Sequence, residues 1–470
     1  MSLRALSEAW NTSTGFPSSV AMLIQGFRTR AFSPTEVVDA VLEAAIASNA
    51  LIRAFLHIDC DGARAAAKWA ERQWDSGAPG ALCGVPVSVK DTIEAAGGPT
   101  TYGSVLFRSH RTEDAEVVRR LRSVGAVIVG KTNTPEFALS SVTVNRLGPE
   151  ARNPLDIRRS CGGSSGGAAA ATAMGLGSIA IGTDAHGSVR RPAAYTGVVG
   201  FKPTYGRIPA VQRWRGAPGR SHIGVLAQTV EDCTIATRLL AGADPRDPAS
   251  MSLASIDAET RKPGRMTIGC VEPTWGGPRE YLAMARAVAV LEGAGHTTVD
   301  AVLPQPSPVT PSPRDPRIEW PYAGDQYAAL RTLLPNFDDE HRAELTDYVR
   351  PVIDHGSQMP AWHYRRVLER DAMVRQLMNE LMSTLDILLS VPAPVAPFIT
   401  GSADAPRGQF ELPLGHFNLS GQPAIVVPIN DHEEDGLPLT IQLAAGHGRD
   451  QFLLGVARII EESFRPYRGE

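Results

Sequence analysis

The residues best equipped for chemistry lie in one stretch, 160–209, which reads SCGGSSGGAAAATAMGLGSIAIGTDAHGSVRRPAAYTGVVGFKPTYGRIP. Two turns in it carry serines. Gly162, Gly163, Ser164, Ser165, Gly166 and Gly167 run into an alanine-rich segment, 168–173, which predicts a closely packed helix. Residues 178–182 predict a short buried strand feeding a loop, 183–188, that ends on Gly187 and Ser188. Glycine admits positive φ and lets backbone approach a ligand, so successive N–H groups ahead of Ser188 can converge on one developing oxyanion. This is a recipe for acyl transfer without its usual base, because His186 lies only two residues before Ser188 and is too constrained to serve it. A lysine is the natural substitute. GVPVSVKDT, 84–92, alternates as a strand does and delivers Lys90 at the end of an apolar segment, where desolvation favours the neutral, proton-accepting amine.

GVPVSVKDT, GGSSGG and GTDAHGSVRRPAAYTGVVGFKPTYGRIP, in that order, resemble the amidase signature family, whose members hydrolyse carbon–nitrogen bonds with a Ser-cisSer-Lys triad. The resemblance covers 82–245 strongly and 385–464 more weakly, through SGQPAIVVPI and GLPLTIQLAAG. It implies that Ser188 is the nucleophile, Ser164 the proton-relaying serine after a cis peptide bond, and Lys90 the base. The two serines are 188 − 164 = 24 residues apart, the family's spacing. Ser165, Thr183, Asp184 and Arg190 fall on positions that orient the triad and brace its loop, and the backbone of Ala185, His186, Gly187 and Ser188 would form the oxyanion hole. One position departs from the pattern: His186 stands where the family usually has a first glycine, and its ring either touches substrate or fills space.

Two short motifs compete with this assignment. GAVIVGKT, 125–132, matches the phosphate-loop pattern letter for letter, but its middle residues look like a strand and no long helix follows. Residues 163–167 match the nucleophile elbow GxSxG around Ser165, but 157–161, with two arginines, is a poor strand to precede one. Cys161 beside it reads as a small buried residue.

The elements that must hold these residues indicate an α/β protein. Ser33, Pro34 and Glu36 start a helix as a capping box, and Val37, Val38, Val41, Leu42 and Ala45 give it an apolar stripe. A second helix is expected at 63–74, a third from a cap at Asp114 to Ser123, a strand at 126–129, and a helix capped by Thr229 and Asp232 up to Leu240. Strands at 266–271, 385–391, 424–429 and 439–443 and helices at 281–292 and 451–464 continue the alternation. Residues 304–321 are proline-dense and read as an irregular connection, and Pro392, Pro394 and Pro397 turn the chain. The expected architecture is a single large domain with a central mixed sheet covered by helices on both faces: a helical cover at 1–81, the signature core at 82–245, a variable, specificity-setting insert at 246–384, and closing strands and helix at 385–470. In the insert, Trp320, Tyr322, Tyr327, Tyr348, Trp362 and Tyr364 either pack a helical layer or line a mouth for an apolar substrate. His416 and Asn418 precede a strand as polar residues with structural roles.

Composition bounds the function. With 470 residues, 43% hydrophobic and 20% charged, and a net charge of −4, the chain can bury a core and offers no basic surface for nucleic acid. Five scattered cysteines (Cys60, Cys83, Cys161, Cys233, Cys270), none spaced CxxC, read as free thiols in a reducing compartment, and no metal or cofactor motif appears. No apolar run of about 18 residues and no leader segment is evident, so a cytoplasmic enzyme, monomer or homodimer, is expected. The expected activity is a serine hydrolase cleaving a small amide, anilide or carbamate through an acyl-enzyme on Ser188. The alternatives are a glutaminase subunit of a tRNA-dependent amidotransferase and a non-catalytic binding protein on the same fold.

Overall fold

The computed structural model describes residues 15–464 except 111, 215, 257–263, 274–276, 305–321, 393–396, 401–412 and 430–435. Most of the proline-dense run, with Trp320, Pro394 and the extreme N-terminus, lies outside the described residues.

Helices α1 (Val20–Thr29) and α2 (Pro34–Ile52) open the chain, α2 at the anticipated capping box: Ser33 Oγ accepts the Glu36 N–H, and Glu36 returns a carboxylate to the Ser33 N–H. Strand β1 (Phe55–Ile58) follows, a four-residue edge strand without sequence alternation clear enough to announce it. α3 (Cys60–Asp75) starts three residues before the expected Ala63 because Asp59 caps it, accepting the Gly62 N–H at 3.0 Å. β2 (Pro86–Lys90), α4 (Glu116–Ser123) and β3 (Val127–Thr132) come next. Asp114 is not the cap of α4. Its carboxylate takes the Ala96 N–H at 2.8 Å and pairs with Arg122 at 2.9 Å.

β4 (Arg152–Asn153) and β5 (Asp156–Ser160) form a separate hairpin, so the supposedly poor strand before Ser165 is a strand, but one outside the main sheet. Its arginines are tolerated because Asp156 pairs with both Arg158 and Arg159. Then follow α5 (Gly166–Ala173), β6 (Ile179–Asp184), α6 (Arg190–Thr196), β7 (Val199–Lys202), β8 (His222–Ala227) and α7 (Val230–Leu240), the last capped by Thr229 as expected. β6 runs past the expected end at 182, since Thr183 and Asp184 pair with Ile223 and His222 of β8. The rest comprises β9 (Thr267–Val271), α8 (Pro278–Gly293), β10 (Thr297–Ala301), α9 (Ala323–Leu333), α10 (Asp339–Ala343), α11 (Arg350–Ser357), α12 (Ala361–Ser383), β11 (Ile387–Ser390), α13 (Gly415–Ser420), β12 (Ala424–Pro428), β13 (Thr440–Ala445) and α14 (Asp450–Phe464).

Eleven strands form one mixed sheet in the order β1-β3-β2-β6-β8-β7-β12-β13-β11-β9-β10. Side chains alternate across it. Ile179, Ile181, Ile223, Val225, Ile425 and Val427 face α1, α4, α7, α8 and α14. Ala180, Leu226 and Val426 face α5 and α6, and further along that face Val127 and Val129 meet α2 and α3, while Leu388 meets α12 and α13. The molecule is thus a single α/β domain with helices on both faces. All five cysteines are free, and among the described residues no helix is long and apolar enough to cross a membrane.

Candidate active site

Val87 and Val89 of β2 pack into the core on one face, so alternation sends Lys90 to the face that carries α5. The turn into α5 holds Ser164 and Ser165. α5 fits there because all but one of its residues are glycine or alanine: a Cβ on Gly167 would lie 2.4 Å from the Asn133 nitrogen and 2.5 Å from the Ala54 oxygen. The Gly163–Ser164 peptide bond is cis. Lys90 Nζ lies 2.6 Å from Ser164 Oγ, 2.8 Å from Thr183 Oγ1 and 3.4 Å from the Thr183 carbonyl. The amine is wholly buried. Burial pushes its pKa down to about 7, against the weaker upward pull of Asp184. A substantial neutral fraction at physiological pH follows.

Ser165 joins the two serine-bearing turns. Its N–H donates to the Ser188 carbonyl at 3.0 Å, and its hydroxyl donates to the Thr183 carbonyl at 3.2 Å. A side chain on Gly182 would strike Ser165 Oγ at 2.8 Å, which accounts for the glycine at that strand position. Ser188 itself is only partly buried, unlike Lys90 and Ser164. The GxSxG match therefore describes a brace between turns.

Asp184 organises the loop that ends at Ser188. Its carboxylate accepts the N–H groups of Gly187 at 2.7 Å and Val189 at 3.1 Å, and both Nε and Nη2 of Arg190 at 3.0 and 3.1 Å. Burial works to raise this carboxyl, but the Arg190 charge and hydrogen bonds hold it well below the usual carboxylate range. Arg190 in turn meets Gln442 Oε1 at 2.8 Å, Asn418 Oδ1 at 2.6 Å and the Leu414 carbonyl at 3.0 Å. Asn418 closes the network on the Asp184 carbonyl at 2.8 Å and on its carboxylate at 2.9 Å, a structural role, while His416 reaches the Pro304 carbonyl. Gln442 was not anticipated. A lone amide inside the apolar strand TIQLAA was the available signal, since a buried polar side chain must find partners.

Gly187 is the position that demands glycine, with φ of +87° and Leu414 Cδ1 only 2.4 Å from a Cβ there. Residue 186 takes no positive φ, so a side chain is tolerated. The His186 ring lies over Gly415, where a Cβ would come within 2.1 Å of its Cε1. Burial, then the charges of Arg191 and Arg220, push its pKa down to about 3, which makes it neutral across the working range.

The phosphate-loop match fails structurally. Lys131 is inside β3, buried, paired with Asp91 at 3.1 Å and bonded to Thr100 Oγ1 at 2.8 Å. Cys161 is fully buried, which raises its thiol pKa away from reactivity. Among the described residues no group of His, Cys, Asp or Glu could hold a metal ion. The insert's aromatics divide: Tyr348 is structural, accepting the Glu136 N–H and donating to the Val144 carbonyl, and Trp362 is exposed, whereas Tyr322 covers the Arg220 guanidinium at 3.7 Å.

A family model described as Amidase matches residues 36–454. The chain belongs to the amidase signature family. Among its amidase signature relatives, a Glutamyl-tRNA(Gln) amidotransferase subunit from Roseiflexus castenholzii is 33% identical over 455 residues, covering 90% of this chain and 91% of that one. AmiB2 of Mycobacterium tuberculosis, named as an amidase, is 33% identical over 443 residues, covering 88% and 89%. The peptide amidase of Stenotrophomonas maltophilia superposes with a TM-score of 0.81 at 25% identity, over 95% of this chain and 97% of that one. Amidase signature enzymes act on carbon–nitrogen bonds of amides, and the buried lysine–serine pair of this chain sits within the matched region.

Proposed function

We propose that the chain hydrolyses a small amide, anilide or carbamate through an acyl-enzyme on Ser188. The observation that supports this most directly is the Lys90 amine, buried, depressed to about pKa 7 and surrounded by hydroxyls and a carbonyl. Neutral Lys90 draws the proton of Ser164 as Ser164 takes that of Ser188, and Ser188 Oγ attacks the carbonyl carbon. The oxyanion is received by loop amides from 185, 186 and 188, while the Gly187 N–H, already donated to Asp184, holds the loop's shape. The protonated relay then gives a proton to the leaving nitrogen, without which an amine leaves poorly. Water attacks the ester, the C–O bond to Ser188 breaks and the acid departs. Thr183, bonded to the Lys90 amine, and Asp184, Arg190 and Ser165 position these groups. The insert at 246–384 sets specificity.

Release of aniline from acetanilide and from ethyl phenylcarbamate, by wild type and Ser188→Ala, tests the assignment. Loss of cleavage on the order of 10³-fold or more in the mutant is expected, and the ratio of the two substrates separates amide from carbamate preference. Undiminished rates in Ser188→Ala would dismiss the nucleophile. The amidotransferase subunits among the relatives carry a second reading, a glutaminase that needs a partner chain. Glutamine hydrolysis by a folded chain inert toward both anilides would favour it.

A further inference from the structure

Two consecutive arginines begin α6, and the fold treats them oppositely. Both are buried, Arg190 completely and Arg191 with 4% of its surface exposed. Arg190 commits its guanidinium to Asp184, Gln442, Asn418 and the Leu414 carbonyl. The Arg191 guanidinium has no hydrogen bond or ion pair among the described residues, and its Nε is buried without an acceptor. After burial, the groups acting on it are Tyr195 and then Asp184, and Asp184 is already claimed by Arg190.

The position of Arg191 gives this charge a use. Its own N–H donates to the Gly187 carbonyl at 2.7 Å, which fixes it one turn beyond the loop that ends at Ser188. Its charge acts on His186 of that loop and on Tyr195 of its own helix. The Tyr195 ring lies 3.1 Å from where a Cβ of Gly162 would stand, and Gly162 opens the turn that carries Ser164, so the helix that bears Arg191 touches both serine-bearing turns. Arg220, the second arginine acting on His186, is matched already by Asp371 and by the face of Tyr322. A buried guanidinium without an anion is costly, and an apolar side chain of similar volume would pack there more favourably. Its planar fork is suited to a carboxylate.

We propose that Arg191 anchors a carboxylate carried by the substrate, so that the site turns over anionic amides in preference to neutral ones. This rests on the hydrolase assignment above and names its substrate class. The carboxylate is a spectator: water divides across the amide bond, hydroxyl to the acyl carbon and hydrogen to the nitrogen, and the anchored group leaves unchanged.

Three matched anilides decide the matter: butyranilide, neutral; succinanilic acid, with a carboxylate on the acyl side; and N-butyryl-4-aminobenzoate, with one on the leaving side. In the wild type, kcat/KM for one of the charged pair should exceed that for butyranilide at least about tenfold, and which one it is locates the anchor relative to the scissile bond. Arg191→Gln should bring that ratio close to one, mainly through KM, with Arg191→Lys between them. A wild-type preference for butyranilide, or a ratio unmoved in Arg191→Gln, overturns the proposal. Arg191→Gln should fold, since removing an unmatched buried charge relieves the native state, and Arg191→Lys, which keeps the charge, should melt close to the wild type; a large fall in melting temperature in both would mark Arg191 as structural and also overturn the proposal. If none of the three is cleaved, the hydrolase assignment fails separately, and the anchor is judged by binding of succinate. A melting temperature raised by succinate in the wild type but not in Arg191→Gln supports the carboxylate site, and no rise in either removes it.

Discussion

Lys90 and Lys131 sit on neighbouring parallel strands, β2 and β3, one residue out of register with each other, and both are buried. What each amine meets is different. Lys131 finds the Asp91 carboxylate at 3.1 Å, an ion pair that ties the strand end to the segment after β2. Lys90 finds the hydroxyls of Ser164 and Thr183, and Asp184, the carboxylate nearest in effect, is held by Arg190. The same residue type is therefore a structural cation in one strand and a candidate base in the next. A missing counter-ion, and not burial alone, separates the two.

The comparison can be broken at either lysine. Lys90→Ala should cost the most, on the order of 10³-fold in kcat/KM with the fold intact, because the proton relay loses its terminus. In the wild type kcat/KM should fall about tenfold per pH unit below about 7, where Lys90 becomes protonated, and level off above it, since the neutral amine is the active form. Thr183→Asp sharpens the contrast by handing Lys90 the carboxylate that Lys131 possesses. The charged amine would be favoured, the acid limb should move upward by about one unit or more, and activity at pH 7 should drop about tenfold. An unmoved limb would mean that Lys90 does not set it. Lys131→Met should change kcat/KM least, within several-fold, yet lower stability by about 3–5 kcal/mol in denaturant titration, because the Asp91 charge would be left buried without its partner.

A second pair repeats the lesson at shorter range. Arg190 and Arg191 are adjacent and both buried, and sequence alone distinguishes them only through the signature motif, which marks Arg190 as a brace. Arg190 is held by the Leu414 carbonyl and by the Asn418 and Gln442 side chains, 224 to 252 positions away in the chain, while the Arg191 guanidinium has no partner among the described residues. No local pattern carries that information.

Much of this protein was legible in its residues. Small side chains and glycines announced the packed helix α5, the capping boxes marked the starts of α2 and α7, and apolar alternation located most core strands, because each depends on neighbours a few positions away. The signature motifs named Lys90, Ser164 and Ser188 as one set, and the fold places Lys90 Nζ beside Ser164 Oγ. Tertiary structure decided the rest. It extended β6 to Asp184, assigned Asp114 to a tie with Arg122 in place of a helix cap, and drew Gln442 into the site. Among the described residues it also left the buried Lys90 and Arg191 without a carboxylate of their own. A charge acquires its pKa and its purpose from groups brought close by folding: Ser164 and Thr183 reach Lys90 from 74 and 93 positions away, farther than a local sequence pattern extends.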